Sequence, residues 1–184
     1  YHKLSSFLRQ ILFNNRFRDD IGNVCKLSVD GTDFRLAMSY MKAFWTYKFK
    51  ACGLRYEVGV NIRTGDICWD LGPFPPGQYN DEMIFRLALA KDLEPNERVE
   101  TDKGYKNCFP GTVKCPPFDS NDAVCKRVRL RHETVNRRLK RWNILKAPFR
   151  HDFLLHQQVF GAVLTLTQLC FEYGEPPFDV DYQG

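Results

Sequence analysis

The chain has 184 residues, 43% hydrophobic and 14% aromatic, which suits one globular domain with a real core and excludes a disordered or low-complexity protein. Lys and Arg number 27 against 22 Asp and Glu, a formal charge of +5. Ten of those cations crowd into residues 126–151, where Glu133 is the single acid, and such asymmetry points to a polyanionic partner more than the total charge does.

Seven cysteines contain no CxxC pair, which argues against a disulfide framework and for a reducing compartment. Zinc held by Cys108, Cys115, Cys125 and His132 is an alternative, with spacings that match neither a finger nor a ribbon. No run of 18 apolar residues occurs, so no membrane span is expected. The chain starts at Tyr1 inside a helical pattern, without a secretory signal, and reads as a fragment of a longer protein.

Residues 2–22 read as an amphipathic helix followed by a turn. Residues 24–29 form a short apolar strand that ends at Asp30-Gly31-Thr32-Asp33. An acid leaving a buried strand ahead of a glycine is either a turn residue or a metal ligand. Residues 36–46 have no clear assignment. From Tyr47 an alternating pattern runs through Tyr56, Val58 and Val60, turns at 63–66, and returns over 67–71 as a hairpin. The segment GPFPPGQ (72–78) is a loop.

Asn80 or Asp81 then caps a helix over the following EMIFRLALAK. Residues 97–101 make a short strand that leads into Asp102-Lys103-Gly104-Tyr105, again an acid just past a strand. A loop with a short strand over 112–115 follows, and then the basic helix, capped by Asn121 or Asp122. On that helix Glu133, Asn136, Arg137 and Lys140 share one face, while Val124, Val128, Val135, Leu139 and Trp142 share a core stripe. Residues 152–173 read as a buried apolar helix before a Pro-rich tail.

This order predicts a mixed sheet: a hairpin extended by strands that follow crossover helices, with helices packed on it. Asp30, Asp102 and Glu133 then converge at one sheet edge. Converging carboxylates persist where divalent cations compensate them, and hard oxygen ligands suit Mg²⁺ or Mn²⁺. Two such ions about 3.5–4 Å apart support phosphodiester hydrolysis and transfer. The surrounding Arg and Lys residues suit a DNA backbone, Arg137 and Lys140 among them.

The blocks VDGTD (29–33), GPFPPGQYND (72–81) and TDKGY (101–105), with the spacing of Arg129, Glu133 and Lys140, resemble DDE-type transposases, and most closely the PIF/Harbinger nucleases. The resemblance runs in order from about residue 19 to 181. It implies an α/β, RNase H-like mixed sheet flanked by helices over 24–184, preceded by a helical arm over 1–23. It also implies metal-dependent DNA cleavage and strand joining in the nucleus, with Asp30, Asp102 and Glu133 as catalytic metal ligands. Asp81 matches a further family acid that ligates metal, and Arg129 and Lys140 match positions that contact DNA. Transposon ends and target DNA are the implied partners; a separate DNA-binding protein and a homo-oligomer are compatible with it. The alternative is an inactive or domesticated relative that only binds DNA or a protein.

Overall fold

The computed structural model describes residues 24–182, so the helix expected over 2–22 and the arm over 1–23 lie outside the described part. Strand β1 runs Cys25–Arg35 and does not stop before Asp30. Its antiparallel partner β3 (Ala51–Asn61) continues from Leu27↔Asn61 to Arg35↔Gly53, keeping the backbone of the whole VDGTD segment in the ladder. Asp30 is therefore a mid-strand residue, which corrects the expectation that it leaves the strand.

The segment 36–46 ends in β2 (Trp45–Thr46), which pairs with the start of β3, while β4 (Ile67–Phe74) returns from the expected hairpin along the same edge. Across the sheet, β5 (Arg98–Thr101) lies parallel to β1, and β6 (Val113–Lys114) lies parallel to β5. The result is an open mixed sheet of six strands, ordered β2-β3-β1-β5-β6 with β4 also on β3.

Alternation along β1 sends Leu27 and Val29 to one face and Ser28, Asp30 and Phe34 to the other. On the first face, α1 (Asp81–Leu87) and α2 (Leu89–Asp92) bury Phe85 and Leu89 with Leu27, Val29, Val99 and Tyr105. The expected single helix is broken at Ala88, whose backbone departs from helical angles. On the second face, α3 (Ala123–Leu139) and α5 (His156–Tyr173) pack Val135, Leu139, Phe160 and Leu164 against Phe34, Tyr56 and Val58. The Phe160 ring stacks on Tyr56 at 3.8 Å between centroids, a contact worth about 1 kcal/mol beyond area burial.

The basic segment is not one helix. Asp122 caps α3 by accepting from the Cys125 amide, α3 ends at Leu139, and a short α4 (Asn143–Lys146) follows. Val128, Val135 and Leu139 are buried as the stripe predicts, but Val124 and Trp142 stay 36% and 37% exposed. Trp142 lies beyond the last turn of α3, so the helical spacing that put it on the stripe no longer holds there.

The 21 residues of Phe153–Tyr173 are long and apolar enough, by length and composition, to cross a bilayer, contrary to the expectation from uninterrupted apolar runs. Phe160, Val163, Leu164 and Phe171 of this segment pack into the sheet's core, which accounts for its apolarity in this fold.

Candidate functional site

The parallel ladder between β1 and β5 has Val29↔Thr101 as its last pair. Asp30 and Asp102 are next in register, at the point where β5 leaves the sheet and β1 continues. Asp102 caps the following 3-10 turn, its Oδ1 accepting from the Gly104 amide at 2.7 Å. Asp81 enters from the opposite face at the first turn of α1, where Asn80 accepts from the Met83 amide and serves as the cap. Capping therefore does not consume Asp81. Its carboxylate lies against the bare Cα of Gly31, and a Cβ placed on Gly104 would stand 2.8 Å from Asp102 Oδ1 and 3.5 Å from Asp81 Oδ2. Two glycines thus give the carboxylates room to meet.

The electrostatics register this crowding. Burial, with the charges of Asp102 and Asp81 adding to it, pushes Asp30 up to about 7. Burial likewise raises Asp81, with Arg55 opposing and Asp33 and Asp102 reinforcing. Behind them, burial takes Glu57 to about 8, although the Trp69 indole donates to it at 3.1 Å. Burial, and then the charges of Glu57, Asp81, Asp30 and Asp102, raise the fully buried Tyr105 hydroxyl. Exposed Lys48 contributes positive potential to Asp30, Asp33 and Asp81.

Asp33 plays a different part from Asp30. Its buried carboxylate accepts from Arg55 Nε at 2.7 Å, from Arg55 Nη2 at 3.1 Å and from Thr46 Oγ1 at 2.6 Å. Burial acts to raise it, but the Arg55 hydrogen bonds and charge overcome burial and hold it below the usual range.

Helix α3 forms the opposite wall. Asn136 donates from Nδ2 to Asp30 Oδ2 at 2.9 Å, so the face shared by Glu133 and Asn136 does look toward the acids. Asp30, Asp102 and Glu133 all line one cleft of about 280 Å³, together with Lys103, Arg129 and His132. Glu133 is exposed on its wall. Arg129 is committed inward: it donates to Glu100 Oε1 at 2.9 Å and to Ser120 Oγ. Lys140 sits beside the acids with its ammonium 5.3 Å from the Phe34 ring centre, and burial, reinforced by Lys48, lowers it to about 8. Arg137 is exposed and donates to Thr134 of its own helix.

Every candidate ligand at this convergence is a carboxylate oxygen, so the set fits a hard divalent cation in kind. Among the described residues, no three His, Cys, Asp or Glu side chains form a group ready to enclose an ion.

The residues of the zinc alternative are not gathered either. Cys108 and Cys115 lie in the core on the α1 side, Cys125 bonds Asp122, and His132 Nδ1 is 3.0 Å from Ser28 Oγ on the α3 side. A larger groove of about 450 Å³ opens beside Trp142, Leu166 and Tyr173, with Glu175 as its one acid.

Sequence reasoning missed Arg55, Glu57, Lys48 and Glu100. Glu57 and Arg55 sit in an alternating strand, where a polar residue reads as solvent-facing; only the second layer of helices buries that face. Comparison of the chain with family models, with curated proteins and with solved structures gives no match.

Proposed function

We propose that the chain is the nuclease domain of a DDE-type transposase, a metal-dependent endonuclease that cleaves and rejoins DNA. The observation that carries this reading is that Asp81 and Asp102 both approach Gly104, that their charges act on buried Asp30, and that Glu133 lines the same cleft as Asp30 and Asp102. A hairpin sheet extended in parallel by β5 and β6 supports the RNase H-like class.

Asp30, Asp81 and Asp102 would hold Mg²⁺ or Mn²⁺, with Glu133 as a fourth carboxylate. Such ions, when bound, offset the acids' charge and polarise the phosphodiester toward a water or 3′-hydroxyl. The chain's own side chains orient and attract: Asn136 fixes Asp30, while Lys140, Lys48 and Arg137 present cations for DNA phosphates. In this reading the substrates are transposon ends and target DNA in the nucleus, with a DNA-binding protein or a second copy as partner.

The test is nicking of plasmid DNA in Mn²⁺, expected for the wild type and lost in Asp30→Asn. A second reading is an inactive or domesticated relative that only binds DNA or a protein, for which the exposed Arg137 and half-buried Lys140 suffice. If wild type and Asp30→Asn both bind DNA and neither nicks it, that second reading stands.

A further inference from the structure

We infer that Arg55 is the positioning residue of the acid cluster: anchored on Asp33, its guanidinium holds Asp81 by one oxygen and leaves the other for a divalent cation shared with Asp30 and Asp102. The inference rests on the metal-site reading above and specifies which part of β3 sets up that site.

A guanidinium offers its donors in a rigid fork. Two of the Arg55 nitrogens engage Asp33 side by side, at 2.7 and 3.1 Å. The third, Nη1, is left to face Asp81 Oδ1 at 3.3 Å and the Tyr79 carbonyl at 3.4 Å. Because Thr46 also donates to Asp33, that side chain is 2% exposed and its oxygens are already used, so Asp33 is an anchor and not a free ligand.

The orientation of Asp81 follows. Its Oδ1 is wedged between Arg55 and the Gly31 Cα, which turns Oδ2 toward Gly104 and the Asp102 side. Behind Asp81 the fully buried side chains of Glu57 and Tyr105 close this face, and the charge of Asp81 acts on both. The fork places one built-in cation among the aspartates, spent on Asp33 and one side of Asp81.

The simpler role for Arg55 is counter-ion to buried Asp33 alone. The double variant Asp33→Asn/Arg55→Gln separates the two, since it removes that pair as a neutral, near-isosteric swap. Mn²⁺ affinity is measured by titration calorimetry, with thermal unfolding in parallel. The expected result is a folded double variant that binds Mn²⁺ about 10–100-fold more weakly than wild type. Wild-type affinity in the folded double variant overturns the inference and leaves the metal site standing. Absence of Mn²⁺ binding by the wild type overturns both. Should the double variant not fold, Arg55→Lys decides, because it keeps the charge and loses the fork. Weakened Mn²⁺ binding then supports the inference, and unchanged binding overturns it.

Discussion

The carboxylate of Asp81 occupies the space in which any residue but glycine at position 31 would carry its side chain, because a Cβ built on Gly31 overlaps Asp81 Oδ1. The obstructed group is the end of a flexible side chain, so Gly31→Ala displaces Asp81 rather than the strand. We expect a fold retained within about 1 kcal/mol and Mn²⁺-dependent nicking reduced about 10–100-fold. Unfolding titrations beside the plasmid assay check both; full activity would show that Asp81 takes no part.

Asp30 and Glu133 are expected to behave oppositely in stability and alike in activity. Asp30 ionises against burial and two neighbouring acids, so Asp30→Asn should stabilise the ion-free protein at pH 8 by roughly 1–3 kcal/mol. Glu133 is exposed, and Glu133→Gln should leave stability within about 0.5 kcal/mol. Both should abolish nicking. A destabilised Glu133→Gln would instead mark that residue as structural.

Arg129 and Arg137 of α3 and Lys140 at its C-terminal cap divide by what they already hold. Arg129→Ala strips the partner from a fully buried Glu100, so a loss of about 3 kcal/mol in stability is expected, recovered in Arg129→Ala/Glu100→Gln. Arg137→Ala and Lys140→Ala should keep the fold and each lower the salt dependence of DNA binding by about one unit. Because Lys140 titrates at about 8, its contribution to binding should fade between pH 7 and 9, whereas that of Arg137 should not. Equal pH profiles for the two variants would place Lys140 away from the DNA.

Acid sensitivity should trace in part to His156. Its Nδ1 lies 2.8 Å from the Tyr56 hydroxyl, and burial lowers it to about 4. Between that value and its unfolded value of about 6.5, the unfolded chain binds more protons, so the stabilising contribution is complete above pH 6.5 and declines as pH falls. His156→Gln should flatten the stability-versus-pH curve over pH 4–6.5 by up to about 1.4 kcal/mol per pH unit relative to wild type. Parallel curves for the two proteins would remove His156 from the account.

Much of this arrangement is legible before folding. The hairpin, the strand at 98–101 and the helix starts are written in alternation, turn residues and the caps Asn80 and Asp122. The face shared by Glu133, Asn136 and Lys140 also follows from helical spacing. What spacing does not reveal is that Asn136 is the member that touches Asp30, or that Arg129 turns inward to Glu100. Those outcomes depend on where α3 crosses the sheet, a matter of packing between elements and not of period within one.

The sequence by itself determined the hairpin, the helix starts and the uneven charge, because these rest on local periodicity, turn chemistry and residue type. Only the tertiary structure decided which acids face one another. Asp30 and Asp102 become neighbours through the parallel register of β1 and β5, and Asp81 joins them from the far face because Gly31 leaves it room. Asp33 is withdrawn from that group by Arg55, two strands' worth of chain away. Long-range register and side-chain fit set those relations, and no window of neighbouring residues contains them.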